Sequence, residues 1–513
     1  MKKNTAQSPA IDHALIISVF VVASCGLAYE LVNAALASYL LGDSVLQFST
    51  IIGAYLFAMG LGSHLSKYVP EDLVLRRFIE IELLVGLIGG LSATFLFLIF
   101  AWFAAPFRPV LYAMVILIGV LVGMEVPLVM RVLNQRKAAF NDIVSRVLTF
   151  DYMGALAVAL LFPLVLAPML GLARTAILFG LCNVGVACWT VWRFRTELSD
   201  SYRQLLRRTL LVLVLLLAGM AYADRMVKWS ENLLFGDPII YAETTPYQRL
   251  VLTCWKDDMR LYINGNLQFS SKDEYRYHEA LVHPVMQQSP QASKVLILGG
   301  GDGLALREVL RYPQVQAVTL VDLDPSMTQI FSTNADLVAL NQRAFADPRV
   351  SVVNEDAAQW MEQHQGFYDV LIVDFPDPSN FGLGKLYSTP IYRLMKHHLN
   401  SDGRMAVQAT SPLYAPRAFW SIVATLKKAG FHTTPYHALV PSFGEWGFVI
   451  ASQQDDYVAP TTYRLPMRFL DTMTTQQMFH FPPDMPRLDV EPNDLNNQKL
   501  VQYFSQDWSE VAR

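Results

Sequence analysis

Seven apolar runs crowd the first 225 residues and constrain this chain more than any other feature. They cover roughly residues 14–41, 46–66, 79–105, 109–130, 148–170, 172–192 and 209–223. About 20 apolar helical residues cross the roughly 30 Å hydrocarbon core of a bilayer. The pattern therefore predicts a multi-pass α-helical membrane domain of about seven helices over residues 1–225. Lys2 and Lys3 ahead of an apolar stretch imitate a signal peptide, but that stretch is too long and more follow, so retention is expected. Small residues such as Gly60, Gly62, Gly86, Gly89 and Gly90 suit close helix packing in lipid. Glu30, Glu125 and Asp151 lie inside runs, where a carboxylate needs a partner, water or the bundle interior. They read either as a cation path or as packing hydrogen bonds.

Loop charges set orientation. Lys67, Arg76 and Arg77 follow the second run, Arg131, Arg136, Lys137 and Arg146 the fourth, and Arg193, Arg195, Arg203, Arg207 and Arg208 the sixth. The alternate loops offer Arg108 and Arg174. The rule puts the arginine-rich loops and the N-terminus in the cytoplasm, and seven crossings then put the C-terminal half outside. The expectation is nonetheless an inner-membrane protein with its C-terminal half in the cytoplasm. Loop charges and seven spans argue against that side.

From Asp224 onward, charged and Pro-containing segments alternate with short apolar strands. Residues 226–290 read as a small antiparallel β-subdomain, with an Asn264-Gly265 turn signal, and a linking helix over 273–287. Residues 291–455 open as a doubly wound α/β domain. An apolar strand from Lys294 runs into Gly299-Gly300-Gly301-Asp302-Gly303, a helix with Arg307 and Glu308 follows, and a second strand ends on Asp322. Glycines allow the tight turn and close ligand approach, and an acid at that strand end accepts ribose hydroxyls. The spacing is G-x-G-x-G, and Asp302 is ill-suited to a pyrophosphate, which favours an adenosyl sulfonium over a nicotinamide cofactor. Strands at 350–353, 368–374 and 404–408 lead to Asp356-Ala357, to Asp374-Phe-Pro-Asp377-Pro378 and to Gln408-Ala-Thr-Ser411. A lone Asp at a strand end commonly caps the next helix. Five acids, Asp302, Asp322, Asp356, Asp374 and Asp377, are expected to converge on the carboxyl edge of the sheet, where they suit a cation. Residues 456–513 form a tail expected to pack on the catalytic domain.

A net charge of −4 gives no basis for nucleic-acid binding. Cys25, Cys182, Cys188 and Cys254 form no C-x-x-C pair, so neither a disulfide framework nor a metal site is expected.

The soluble half resembles the spermidine synthase (polyamine aminopropyltransferase) family. The matching runs are Tyr247-Gln248, Leu261-Tyr262-Ile-Asn-Gly265-Asn-Leu-Gln268, Asp273-Glu274-Tyr-Arg-Tyr277-His278-Glu279 and His283-Pro284. They continue with residues 299–303, Val321-Asp322-Leu-Asp324, Asp347-Pro348-Arg349, Asp374-Phe-Pro-Asp377-Pro378 and Ser411-Pro412. Runs such as Gly123-Met-Glu-Val-Pro and Pro441-Ser-Phe-Gly-Glu-Trp-Gly-Phe448 are similar to the membrane-fused branch of that family. The resemblance implies aminopropyl transfer from decarboxylated S-adenosylmethionine, a co-substrate and no tightly bound cofactor, to putrescine. It implies that Gln248, Asp302, Asp322 and the Asp356-Ala357 pair hold the donor beside Gly299, Gly301 and Gly303. Tyr277, His278 and Asp377 would hold the diamine, with Asp374 the base or orienting carboxylate and Tyr277 its helper. Asp322 stands where the family often has Glu, Asn264 where Asp is usual, His278 where some members have Gln, and Ala357 for a frequent Gly. These departures bear on acceptor choice. The fold expected is thus a helical membrane domain followed by a Rossmann-like, methyltransferase-type domain. The partners expected are a diamine and the lipid bilayer, with a homodimer left open. Two other readings fit parts of the pattern: an S-adenosylmethionine-dependent methyltransferase, and a polyamine transporter or sensor with a binding-only soluble domain.

Overall fold

The computed structural model of the chain describes residues 9–41, 44–102, 107–135, 140–198 and 201–511. Lys2, Lys3, Arg136 and Lys137 lie outside the described residues. Two compact units meet at Asp237 and Pro238.

The first unit is helical: α1 (Pro9–Leu41), α2 (Ser44–Leu65), α3 (Val74–Trp102), α4 (Phe107–Asn134), α5 (Phe140–Leu161), α6 (Ala167–Arg193) and α7 (Tyr202–Phe235). Among the described residues, six helical stretches, against about seven expected, are long and apolar enough to cross a membrane by length and composition. The difference lies at the fifth and sixth runs, which join into one stretch, Asn141–Arg193. A π-turn at Phe162–Leu166, containing Pro163, links α5 to α6, as expected where a proline removes a backbone donor. Gly171 then leaves the helix with φ 73° and ψ 170°.

Ion pairs give the direction of each leg. Arg131, near the end of α4, pairs with Glu71 just ahead of α3 at 2.6 Å. Arg208, in the second turn of α7, pairs with Glu80 of α3 at 3.0 Å. The end of α4 and the start of α7 therefore lie at the same end of the bundle. The stretch between them must go out and return, which makes it a hairpin bent at Gly171. Arg174, just past the bend, pairs with Asp224 near the far end of α7 at 2.6 Å. The interior of this unit is one apolar cluster that includes Tyr29, Tyr55, Phe78, Val115, Ile177 and Leu216.

The second unit starts with an antiparallel sheet, β1 (Ile239–Thr244), β2 (Arg249–Trp255), β3 (Asp258–Ile263) and β4 (Asn266–Ser270). Asn264 and Gly265 both take positive φ, 51° and 82°, as a tight β3–β4 turn requires. After α8 (Glu274–Gln287) comes a seven-stranded sheet: β5 (Lys294–Gly299), β6 (Ala317–Asp322), β7 (Val350–Asn354), β8 (Tyr368–Asp374), β9 (Leu399–Gln408), β10 (His432–Val440) and β11 (Gly444–Ser452). Its order is β10-β11-β9-β8-β5-β6-β7. Strands β5 to β9 run parallel, and β11 and β10 return antiparallel. The order reverses between β5 and β8, where a doubly wound sheet opens its ligand crevice. The β10–β11 hairpin extends the sheet beyond the strands read from the sequence. Pro435 sits within β10, an edge strand, the position that tolerates a missing donor.

Alternating residues of β5 serve two cores. Leu296 and Leu298 join Val407, Trp420 and Leu500 on one face. Val295 and Ile297 join Val285, Leu306 and Tyr436 on the other. The 456–513 segment supplies Leu500 to the first and Leu470 and Met478 to the second. Glu279 of α8 accepts the backbone N–H groups of Arg468, Phe469 and Leu470, which fastens that segment beside the helix.

Candidate active site

At the end of β5, side chains are excluded by neighbours. A Cβ on Gly299, at φ 82°, would lie 2.2 Å from the Asp374 carbonyl oxygen, and one on Gly301 would lie 2.6 Å from the Asp322 carboxylate. The ends of β5, β6 and β8 thereby close on one another. Gly301 N–H donates to Asp322 Oδ2 and Asp324 N–H to Asp322 Oδ1, each at 3.0 Å. Leu304 N–H, at the start of α9 (Leu304–Leu310), donates to Asp302 Oδ1 at 2.9 Å, and Gly303 caps that helix at φ 74°. Desolvation pushes Asp302 up to about 6, with His278 opposing and Asp374 adding repulsion. Desolvation likewise lifts Asp322 to about 6, against its two backbone donors.

Tyr277 stands on α8 and donates its hydroxyl to Asp374 Oδ1 at 2.5 Å. Its ring packs edge-on against Phe448 and Phe443, with centroids 5.3 and 6.2 Å away. Asp374 is half-buried at the end of β8. Desolvation raises its pKa, opposed by the His278 charge and the Tyr277 hydrogen bond. Asp377 is pushed up to about 7 by desolvation, although Gln408 Nε2 donates to it at 3.2 Å and Thr410 Oγ1 at 3.4 Å.

Gln408 and Thr410, which the sequence places only at a strand end, are also site residues. Gln408 Nε2 also donates to the Phe375 carbonyl at 2.7 Å, and the Tyr387 hydroxyl donates to the same oxygen at 3.0 Å. The loop carrying Asp374 and Asp377 is thus held from β9. Thr410 takes φ 56°, a left-handed conformation costing a β-branched residue about 1–3 kcal/mol. Its N–H donates to Gln408 Oε1 at 2.8 Å and its carbonyl accepts Gly447 N–H at 2.6 Å. The available signal was positional: Gln408 ends a parallel strand on the edge where the acids lie.

His278 is buried, and its Nδ1 meets both the carboxylate (2.9 Å) and the carbonyl (2.8 Å) of Glu274. Glu274 in turn receives a bidentate pair from Arg307 at 2.9 and 3.0 Å. Arg307 Nε reaches Glu308 at 2.8 Å, and Glu308 meets His283 at 2.9 Å and Arg311 at 2.5 Å. Charges of alternating sign therefore run from α8 into α9. Burial works against the charged forms throughout, yet the Glu274 partner raises the His278 pKa. Against the same penalty, His278 and Arg307 keep the Glu274 carboxyl below its usual range.

The remaining expected residues are more dispersed. Gln248 is half-buried and its backbone closes a turn with Thr245. Thr245 Oγ1 donates to Asp324 at 2.8 Å, tying the small sheet to the loop after β6. Asp356 accepts Gln359 N–H at 3.0 Å, capping the helix Ala357–Gln363 that begins with the buried Ala357. It also lines a surface cavity of about 610 Å³ with Lys385 and His397, which neither Tyr277, Asp374 nor Asp377 lines. Asp302, Asp322, Asp374 and Asp377 thus gather at the ends of β5, β6 and β8, and Asp356 sits at the end of β7 as a helix cap. Trp446 is half-buried with its ring 5.2 Å from that of Phe443.

Sheet order, glycine turn and clustered acids define the class: a Rossmann-like α/β domain with carboxyls gathered at its crevice. A family model described as the spermine/spermidine synthase domain matches residues 274–462. The chain is 65% identical over 503 residues to polyamine aminopropyltransferase 2 of Ralstonia nicotianae, covering 97% of this chain and 99% of that one. It is 47% identical over 502 residues to the polyamine aminopropyltransferase of Leptospira interrogans, with coverage of 97% and 99%. A spermidine synthase crystal structure in complex with the transition-state analogue AdoDATO aligns at 26% identity and a TM-score of 0.45, covering 48% of this chain and 85% of that one. The chain belongs to the polyamine aminopropyltransferase family and is a transferase.

Proposed function

We propose that the second unit transfers the aminopropyl group of decarboxylated S-adenosylmethionine to putrescine, giving spermidine and methylthioadenosine. The observation that carries this reading is the 2.5 Å hydrogen bond from Tyr277 to Asp374, beside Asp377 and Asp302, in a crevice rich in desolvated carboxyls. Putrescine arrives doubly charged. Asp377 binds an ammonium group of the diamine and Asp302 faces the sulfonium donor, and each cation restores the ionised form that desolvation disfavours. Asp374, oriented by Tyr277, accepts the proton that frees the attacking nitrogen's lone pair. That nitrogen displaces the thioether in line: a C–N bond forms, the C–S bond breaks, and the electron pair stays on sulfur. The rest of catalysis is positioning. Asp322 accepts the ribose hydroxyls, while Gln248 and the Asp356-Ala357 pair line the nucleoside end beside Gly299, Gly301 and Gly303. His278 belongs to the diamine end, its Nδ1 held by Glu274.

The test is to offer purified protein putrescine with either sulfonium donor. Spermidine is expected from the decarboxylated donor; a methylated amine from S-adenosylmethionine would support the methyltransferase alternative instead. The names of the relatives favour neither that alternative nor a binding-only domain.

The first unit is a bilayer anchor. Its outward side chains are apolar too, with Phe57 71% and Met169 77% exposed, as for helices whose solvent is lipid. A catalytic unit that consumes a nucleoside donor belongs in the cytoplasm. The hairpin at Gly171 gives the bundle seven legs, so α7 ends opposite the arginines. Cytoplasmic catalysis then requires the arginine-rich end to face outward, against the usual charge rule.

A further inference from the structure

In the helical unit, the polar groups with least to bond to occur together. Glu82 on α3 and Glu125 on α4 are 0% and 1% exposed. No carboxyl oxygen of either has a hydrogen-bond partner among the described residues, and the same holds for both ends of the Asn183 amide on α6 and for the Tyr29 hydroxyl on α1. Asn183 and Tyr29 are fully buried. These groups are neighbours. Val122, one turn before Glu125, packs 2.8 Å from where Gly26, one turn before Tyr29, would carry a Cβ. The Tyr29 ring packs 2.8 Å from where Gly89 would carry a Cβ, and Asn183 lies 3.3 Å from the same point on Gly86, one turn beyond Glu82. Cys25 Sγ reaches the Phe179 carbonyl at 3.3 Å, closing α1 on α6.

Four helices therefore carry two carboxyls, an amide and a hydroxyl that the described residues leave without a hydrogen-bond partner. Native interiors rarely leave such groups so, because each keeps its full desolvation penalty. Two acids side by side add repulsion that a shared cation removes.

We propose that this cluster binds an alkylammonium ion, the charged end of a polyamine, between Glu82 and Glu125. An ammonium offers several N–H donors and no acceptor, which matches carboxylate, amide and hydroxyl oxygens. A divalent metal matches less well: among the described residues no group of three or more His, Cys, Asp or Glu is arranged to hold one. Choosing a polyamine rests on the aminopropyl-transfer reading above. Glu30 on α1, 7% exposed, and Asp151 on α5 are further acids of this unit.

Carbodiimide labelling of the full-length protein in nanodiscs, mapped by mass spectrometry, tests the site without a variant. Spermidine and putrescine are expected to slow labelling of Glu82 and Glu125 about tenfold when present near ten times their Kd. Na⁺ and K⁺ at matched ionic strength are expected to leave it unchanged. Protection by Na⁺ or K⁺ alone, or labelling that responds only to pH, overturns the proposal in favour of an inorganic-cation site or a proton-sharing pair. Radiolabelled spermidine binding to Asp374→Asn/Asp377→Asn protein gives a second readout. Residual binding that disappears on adding Glu82→Gln and Glu125→Gln supports the site, and absence of residual binding overturns it. Aminopropyl transfer by the wild type in the same preparation reports separately on the catalytic unit: transfer without protection defeats only this site, and protection without transfer defeats only the catalytic reading.

Discussion

Both units bury acids, and they treat them in opposite ways. In the α/β unit, Glu274 and Glu308 are surrounded by Arg307, Arg311, His278 and His283, and Asp374 and Asp377 receive hydroxyl or amide donors. In the helical unit, Glu82 and Glu125 have no hydrogen-bond donor among the described residues. The first pattern fixes side chains in a geometry before a substrate arrives, which is what a positioning catalyst needs. The second leaves a deficit that something other than the chain must make up. Burial of an acid is therefore a weak signal by itself, and its partners decide what it is for.

The comparison can be broken by removing members of the partnered set. Asp374→Asn takes away the proton acceptor and is expected to lower kcat by about 10²–10⁴-fold. Steady-state rates with putrescine check this, and a variant within threefold (about 0.7 kcal/mol) of wild type would remove Asp374 from the chemistry. Arg307→Met removes the bidentate partner of Glu274, leaving it His278 alone, and one of the partners of Glu308. Loss of one partner from a buried pair costs about 3–5 kcal/mol, so denaturant unfolding of the α/β unit should move to clearly lower concentration. Tyr277→Phe keeps the ring packing and deletes one hydrogen bond to a charged group. That is about 1.5–3 kcal/mol, seen as a kcat/KM loss of roughly 10–150-fold.

The subtlest effect is on pH. Desolvation lifts Asp377 to about 7 in the folded state, above its unfolded value near 4. The folded protein holds that proton more tightly, so this group's contribution to stability is full below about pH 4 and is lost as pH rises through about 7. Asp302 and Asp322, lifted to about 6, act in the same direction. Asp377→Asn should therefore flatten the fall of stability between about pH 4 and 7, by at most about 1.4 kcal/mol per pH unit. Putrescine, which favours the ionised acids, should stabilise more as pH rises across that window. On the helical side, a reporter fused after Arg513 is expected to be active only in its cytoplasmic form; activity of an exported reporter would mean that the arginines govern orientation.

Sequence alone carried the α/β unit further than the helical one. Strands that run into glycines or acids announce themselves, so Gly299 to Gly303, Asp322 and Asp374 were legible. The β10–β11 hairpin was missed because Pro435 interrupts its pattern, which only an edge position permits. Gln408 was visible but mute, since its role comes from the Asp374–Asp377 loop folding back over β9. In the helical unit, spans were countable, and the fifth and sixth runs part at residue 171, where the chain bends; the π-turn at Phe162–Leu166 gave no sign in the sequence. Glu82 escaped notice because it lies near Arg76, Arg77 and Glu80, where a sequence suggests a surface. Its full burial goes with the packing of α1, α4, α6 and α7 around α3.

The central claim is that the ordered acids of the α/β unit carry aminopropyl transfer. A stoichiometric turnover measurement tests it most directly: purified full-length protein, putrescine and decarboxylated S-adenosylmethionine, with both products quantified. The account predicts spermidine and methylthioadenosine in equal amounts, both abolished in Asp374→Asn. Tight putrescine binding with no methylthioadenosine released, or methylthioadenosine formed without spermidine, would contradict it.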